Sequence, residues 1–236
     1  MKQLGIFFVI VILTLAGCSD PDCINPSGKL VRESRPGEGF TSVAQDLPGV
    51  MTLSSGAEYK IEIEAHENII GLVRTSVSDG ELYIGSGSDL CNVTLNSHVT
   101  LPDPRSFRLD GAGDIRGAGN FSADTVAFAT SGSGNISFDS FDAGVMSARI
   151  TGTGQVAMKG AADSADVRIE GSGEIRLDSL KTRVCFYSLS GSGDIYAWAT
   201  DTLRARVYGT GNIYYRGNPV RLDAVVTGTG EVIRLD

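Results

Sequence analysis

Carboxylates and amides recur at one position of the sequence, about every 18 to 21 residues, and are the first candidates for chemistry. They are Asp114, Asn135, Gln155, Glu174, Asp194, Asn212 and Glu231. If the copies stack, Glu174 and Asp194 come about 5 Å apart, which is the carboxylate separation of retaining glycosidases. A stacked acidic pair could also bind calcium. Alternatively, the position holds residues that favour turns, since Asn and Gln occupy it too.

Other residues give little support for catalysis or metal binding. His66 and His98 are the only histidines, and no Cys/His spacing is typical of a zinc site. The Gly-x-Gly-x-Asp motif also occurs in calcium-binding β-rolls, but it repeats there about every nine residues, half the period seen here. We therefore predict no catalytic residue, no metal ion and no cofactor.

Aromatic side chains indicate a candidate ligand face. Tyr196 and Tyr214 fall at equivalent positions of neighbouring repeats, next to Arg176, and Trp198 lies two residues beyond Tyr196. In a strand, residues two apart share a face, so we expect these four side chains to lie together. Flat rings on a rigid sheet could stack against a sugar or contact another protein. The alternatives are a chance ladder of aromatics, or a patch that the terminal segment covers.

Arginines form a second set at equivalent positions: Arg108, Arg149, Arg168 and Arg206. They should point to solvent, where Asp110 and Glu170 can pair with them at little gain in stability. The formal net charge is −8 and the pI is about 4.8, so the chain lacks the basic surface of a nucleic-acid-binding protein.

The element that positions all these residues is a repeated turn, Gly-x-Gly followed by an acid or amide and then Ile or Val. Its glycines are Gly111, Gly113, Gly132, Gly134, Gly152, Gly154, Gly171, Gly173, Gly191, Gly193, Gly209, Gly211, Gly228 and Gly230. The period of about 19 to 20 residues is in the range of solenoid proteins. Glycine reaches positive φ without steric cost, so we expect the backbone to turn tightly there.

Strand-like runs flank each turn, and their apolar positions align between copies. Two residues before the first glycine lie Leu109, Thr130, Ile150, Ile169, Leu189, Val207 and Val226. Four residues after it lie Ile115, Ile136, Val156, Ile175, Ile195, Ile213 and Val232. Stacking the copies about 4.8 Å apart buries both columns. The sequence therefore predicts an all-β protein, a parallel β-solenoid or β-helix with Gly-x-Gly turns.

The chain divides into four predicted segments. Residues 1–17 read as a signal peptide, because the apolar run from Leu4 to Leu15 is too short to span a membrane. Residues 18–38 are rich in Pro, Gly, Ser and Asp and read as a flexible tether. Residues 39–105 alternate without the glycine period, which predicts N-terminal capping coils or a separate small β domain. Residues 106–236 form the regular repeat region.

The sequence around Cys18 resembles the lipobox of bacterial lipoproteins, with Leu15, Ala16 and Gly17 before the cysteine. The resemblance implies cleavage before Cys18 and attachment of lipid, with acyl chains such as palmitate, so that the membrane is a partner. Ser19 in place of Asp fits sorting to the outer membrane. The alternative is a plain secretory signal with a chance cysteine.

The remaining cysteines differ in their predicted environments. Cys23 and Cys91 could form a disulfide outside the cytoplasm, or could both stay reduced. Cys185 lies six residues before Gly191, in a column with Val126, Met146, Ala165 and Leu203. We expect it to be a buried and unreactive thiol.

The repeated turn, the stretch from Val207 to Pro219 and the closing run from Val226 to Val232 together resemble the head GIN domain family. Its members are described as "putative auto-transporter adhesins". The resemblance covers about Phe40 to Asp236 and implies a β-helical superhelix related to pectin-lyase-like folds, favours a right-handed one, and implies no catalytic residues.

Three functions remain open from the sequence. The first is a lipid-anchored, non-enzymatic envelope protein that binds a glycan or a surface protein, as an adhesin would. The second is a polysaccharide-active enzyme that uses Glu174 and Asp194. The third is a structural envelope protein in which the solenoid ends pair as a homo-oligomer.

Overall fold

The computed structural model describes residues 23–235 and confirms the all-β parallel solenoid, with about six turns. The N-terminal part contains β1 (Leu30–Ser34), β2 (Ser42–Gln45), β3 (Gly49–Ser55), β4 (Lys60–His66), α1 (Glu67–Ile70), β5 (Val73–Ser78), β6 (Glu81–Ser86) and β7 (Leu95–Leu101). The repeat region contains β8 (Ser106–Leu109), β9 (Asp114–Ala118), β10 (Phe121–Thr130), β11 (Asn135–Ile150), β12 (Gln155–Ile169), β13 (Glu174–Leu189), β14 (Ile195–Val207), β15 (Ile213–Arg216), β16 (Arg221–Val226) and β17 (Val232–Arg234).

Each repeat pairs in parallel with the copies before and after it, on both sides of its turn. After the turn, β9, β11, β12, β13, β14, β15 and β17 are successive neighbours. Before the turn, β8, β10, β11, β12, β13, β14 and β16 are successive neighbours. Residues at equivalent repeat positions therefore lie side by side, one strand spacing apart.

The two predicted core columns are buried along the repeat region. From Leu109 to Val207, and from Ile115 to Ile213, every member is at most 2% exposed. The last members differ, because no strand within residues 23–235 lies beyond them: Val226 is 42% exposed and Val232 is half-buried. The column that contains Cys185 is also buried. Burial raises the pKa of the Cys185 thiol to about 11, which fits an unreactive cysteine.

The turns require glycine mainly because stacked repeats approach closely there, and not because of the positive φ that the sequence predicts. Of the fourteen motif glycines, only Gly111 has a positive φ, of 109°. What the other copies share is a close approach between repeats: a Cβ at Gly191 would overlap the carbonyl oxygen of Gly171 in the neighbouring turn. That oxygen accepts a hydrogen bond from the Ser192 amide at 3.0 Å. The motif is therefore set by the spacing of stacked turns.

The N-terminal coils continue the stack, but out of chain order. β2 and β3 lie between β6 and β7 on one side and β8 and β9 on the other. The antiparallel strands β4 and β5 pair with β7 and β6. Asp79 and Gly80 join β5 to β6 with φ of 50° and 76°, as a type I′ hairpin turn requires. These strands share one hydrophobic core with the repeats.

The structure corrects the expected tether at residues 18–38 over its described part. Strand β1 pairs antiparallel with β4, and the Arg35 amide donates to the Ile61 carbonyl at 2.9 Å. The Ser27 amide donates to Asn68 Oδ1 at 2.7 Å. Polar composition misled the prediction, because this segment is held by backbone pairing rather than by apolar burial. Cys18, the predicted lipid site, lies outside the described residues, as does the predicted signal peptide.

A disulfide joins Cys23 to Cys91, with Cα atoms 5.5 Å apart. It closes a sequence separation of 68 residues and fastens the start of the described chain to the coil that leads into β7. Next to it, the Cys91 amide donates to the Ile24 carbonyl at 3.0 Å. The N-terminal end of the solenoid is therefore closed by a covalent bond as well as by strands.

We predict that loss of this disulfide lowers the free energy of unfolding by about 2–4 kcal/mol, since a closed loop of this length restricts the unfolded chain. Urea unfolding of the exported protein with and without reductant measures the change. The double variant Cys23→Ser/Cys91→Ser is the control, because reductant should not change it further. An unchanged midpoint when wild type is reduced would contradict the prediction.

Within residues 23–235, no element covers the opposite end of the solenoid. All six residues of β16 are exposed, including Leu222 at 49% and Val226 at 42%, although both continue buried columns. One side of β16 pairs with β14, and no strand within the described chain pairs with its other side. This end therefore presents both apolar side chains and a free strand edge.

Candidate functional site

The acid and amide column lies at the edge of the turns and bonds mainly to itself. Asp194 Oδ1 accepts from the Asn212 amide at 2.7 Å, and Asn212 Oδ1 accepts from the Glu231 amide at 2.9 Å. Gln155 Nε2 donates to Glu174 Oε1 at 2.7 Å. These side chains link one repeat to the next. Acids and amides share the position because an acid accepts, and an amide accepts or donates, a hydrogen bond to the neighbouring repeat.

The candidate ligand face brings three of its four predicted members into direct contact. The rings of Tyr196 and Tyr214 stack with centroids 4.9 Å apart and an interplanar angle of 13°. The Arg176 guanidinium carbon lies 4.7 Å from the Tyr196 centroid. Because the three side chains come from β13, β14 and β15, the stack runs along the axis of the solenoid.

This stacking changes what the face can offer to a ligand. The Tyr196 ring has Arg176 on one side and Tyr214 on the other, so its edge and hydroxyl, rather than its faces, point to solvent. The Tyr214 hydroxyl accepts from Asn212 Nδ2 at 3.1 Å. Burial raises the pKa of Tyr196, and the carboxylates of Asp194 and Glu174 raise it further, so this hydroxyl stays protonated at neutral pH.

Trp198 is on the same sheet face but apart from the tyrosine stack. It is 37% exposed and lies between Lys181 and Arg216 in the strand register. No ring contact within residues 23–235 joins Trp198 to either tyrosine. It is therefore the most exposed ring of the face and the one that a flat ligand would reach first.

A shallow groove of about 330 Å³ borders the same face, and sequence reasoning missed it. Ser137 and Ala157 precede Arg176 in the outward column and lie on its floor, while Lys159 and Asp139 form an ion pair of 2.7 Å at its rim. The sequence does contain a signal for this groove: Ser137 and Ala157, both small, occupy the repeat position at which the next copy carries the long side chain of Arg176. The groove gives a ligand at Arg176 a place to lie.

The remaining predicted residues have ordinary roles. Each arginine of the basic column forms an ion pair: Arg108 with Asp110 and Glu81, Arg149 with Glu170, Arg168 with Asp166, and Arg206 with Asp223. His66 bonds the Gly28 carbonyl through Nδ1 at 3.0 Å. Within residues 23–235 there is no group of three His, Cys, Asp or Glu side chains suited to a metal ion. The described chain also has no helix with the length and hydropathy needed to cross a membrane.

The sequence matches a known protein family. A family described as "putative auto-transporter adhesin, head GIN domain" matches residues 39–219, most of the chain. The chain belongs to this family. The match spans the N-terminal coils and all but the last repeat, so the head GIN domain includes both the irregular and the regular parts of the solenoid. No protein of curated function matched the sequence.

Solved structures share the fold of this head GIN domain. A "putative adhesin" from Bacteroides fragilis is 24% identical, with a TM-score of 0.86, and the match covers 90% of this chain and 100% of that one. A "putative lipid binding protein" from Parabacteroides distasonis is 17% identical (TM-score 0.78), and a "putative adhesin" from Parabacteroides merdae is 20% identical (TM-score 0.73). Both matches cover 91% of this chain and 100% of the other.

Proposed function

We propose that this protein is a lipid-anchored, non-enzymatic binding protein of the cell envelope, with an adhesive role, whose ligand contacts the face of Arg176, Tyr196, Trp198 and Tyr214. Membership of an adhesin-like family fits a non-enzymatic envelope protein. The observation that carries the proposal is the exposed Trp198 beside a rigid stack of Arg176, Tyr196 and Tyr214. Such a preformed surface binds without a large entropic cost.

The position of the face also supports the proposal. Cys23 is bonded to the coil that leads into β7, and seven strand spacings separate β7 from β15. That distance is about 34 Å. A lipid on Cys18, only five residues before Cys23, would hold the N-terminal coils at the membrane and leave the aromatic face far from it.

The lipid is tested separately from the ligand. We expect the exported protein to fractionate with the outer membrane and to have the mass of a triacylated chain that begins at Cys18. Cys18→Ser should release the protein to the soluble fraction. Membrane association that survives Cys18→Ser would count against the anchor and leave the ligand site untouched.

The ligand site is tested by titrating the exported protein, in a neutral detergent, with neutral glycans and peptidoglycan fragments. Trp198 is the only tryptophan, so its emission reports binding near the face, while product release is followed in the same sample. Calorimetry then compares Trp198→Ala with Tyr208→Ala, an exposed aromatic residue outside the face. We expect binding to be lost in the first variant alone. Equal binding by both variants would refute this face as the site.

The enzyme alternative has a distinct outcome in that experiment. Glycan turnover that is lost in Glu174→Gln or Asp194→Asn would assign a polysaccharide-active enzyme. The contacts of both carboxylates with neighbouring repeats favour a structural role instead.

The open C-terminal end favours a second candidate, in which copies of the protein pair through β16. An antiparallel register centred on Ala224 places Leu222 of each copy opposite Val226 of the other, with their inward side chains on the same face. Sedimentation of the exported protein should show a dimer that Leu222→Lys abolishes and Val145→Lys leaves intact, since Val145 is exposed on another strand. A strict monomer at high concentration would exclude this candidate.

A further inference from the structure

A groove of about 460 Å³ lies on the other stack of strands, formed by the parts of β12, β13 and β14 that precede their turns. We call it the arginine groove and define it by Arg168, Phe186, Ser188, Arg204 and Arg206. Arg168, Ser188 and Arg206 are direct neighbours across the three strands. The short side chain of Ser188 therefore leaves a gap between two guanidinium groups whose backbones are about 10 Å apart.

Arg204 differs from the other two arginines because it forms no ion pair within the described residues, although Asp223, its neighbour on β16, interacts with it electrostatically. Arg168 pairs with Asp166 at 3.1 Å and Arg206 pairs with Asp223 at 2.7 Å, whereas Arg204 forms no ion pair within residues 23–235. Its guanidinium carbon lies 5.3 Å from the centroid of the Phe186 ring, which is 38% exposed. The cation is thus held beside the gap by an aromatic surface and keeps its hydrogen-bond donors for a ligand.

The balance of charge in the groove is positive although the chain is acidic. In and beside it, four arginines (Arg149, Arg168, Arg204 and Arg206) face three carboxylates, those of Asp166, Glu170 and Asp223. Glu170 is already bound by a further guanidinium, since both its oxygens accept from Arg149 at 2.8 Å. Another groove of the described residues, of about 590 Å³, has the opposite character, since its charged lining is four aspartates.

We propose that the arginine groove binds an acidic sugar unit of a polysaccharide, with its carboxylate or sulfate at Ser188 between Arg168 and Arg206 and bonded by Arg204. The planar fork of a guanidinium matches the oxygens of such groups. Phe186 supplies an apolar wall for the sugar ring. The site lies on a different stack of strands from the Trp198 face and does not depend on it.

Calorimetry of the exported protein in neutral detergent tests the site. The probes are oligogalacturonate for carboxylate, a sulfated dextran oligomer for sulfate, neutral dextran, and inorganic phosphate. We expect one or both acidic oligosaccharides to bind, neutral dextran not to bind, and added NaCl to weaken binding. Arg204→Ala should weaken binding about tenfold, because it removes a charge-assisted contact.

Two further variants separate this site from general electrostatic attraction. Ser188→Glu puts a carboxylate into the gap and should abolish binding. Arg216→Ala removes the same charge beside Trp198, where Arg216 also lacks an ion pair within the described chain, and should leave binding unchanged. Equal weakening by Arg204→Ala and Arg216→Ala would overturn the proposal, as would failure of both acidic probes to bind. Phosphate that binds as tightly as the oligosaccharides would overturn the assignment to a sugar.

Discussion

Gly191→Ala is expected to lower the melting temperature of the protein by about 6–12 °C, which corresponds to about 3 kcal/mol of lost stability. The added Cβ would overlap the carbonyl oxygen of Gly171, a backbone atom that cannot move aside alone. The two turns must separate instead, which strains the hydrogen bonds between Ser192 and Gly171 and between Thr210 and Gly191, both 3.0 Å long. Thermal unfolding followed by circular dichroism measures the shift.

Ser192→Ala is the matched control, because it lies in the same turn and its side chain is exposed. It removes the contact of 2.8 Å between the hydroxyls of Ser172 and Ser192 and should change stability by less than about 0.5 kcal/mol. A Gly191→Ala protein as stable as Ser192→Ala would show that the repeats can separate at little cost. The close spacing of the turns would then not be the reason for glycine in the motif.

Phe138→Ala is expected to cost about 3–5 kcal/mol of stability. Phe138 is 2% exposed, and its ring centroid lies within 5.4 Å of the rings of Phe107, Phe121, Phe128 and Phe141. Removing the ring leaves a cavity in the middle of this cluster, where the neighbouring strands are fixed by the repeat spacing and cannot collapse. Phe186→Ala, the same change at an exposed ring, should cost less than about 1 kcal/mol.

Gly117 provides a second test of this packing. A Cβ on Gly117 would overlap the ring of Phe138, its neighbour on β11. Gly117→Ala should therefore destabilise the wild-type protein, but it should have a much smaller effect on stability in a protein that already carries Phe138→Leu. Urea unfolding of the two single variants and the double variant gives the coupling. Additive effects would mean that the cost of Gly117→Ala does not come from the ring of Phe138, contrary to the contact seen between them.

The fold could be predicted from the sequence because one short pattern recurs with a nearly constant period. That period places Leu109 and Ile150, or Ile115 and Val156, in shared columns without knowledge of any long-range contact. The N-terminal coils lack such a period. The insertion of β2 between β6 and β8, and of β3 between β7 and β9, depends on pairings between distant segments, which no local pattern in Ser42–Ser55 specifies.

The sequence predicts which residues form the candidate ligand face, but it does not predict how their side chains are arranged. The register of β13, β14 and β15 makes Arg176, Tyr196 and Tyr214 neighbours, and the sequence carries that register. The sequence does not predict the side-chain conformations that stack the ring of Tyr196 between Arg176 and Tyr214. The arginine groove was hidden for a similar reason, since Arg204 and Phe186 matter through a contact between adjacent strands that neither residue's own repeat reveals.

The two ends of the solenoid give the molecule a mechanical polarity. In a stack where each repeat contacts only its neighbours, separation starts where the fewest bonds must break. The disulfide of Cys23 and Cys91 blocks that start at one end, while at the other end β16 and β17 are bound on one side only within residues 23–235. Under tension, the protein should therefore peel from its C-terminal repeat inward, and amide hydrogen exchange should slow step by step from β17 toward β9.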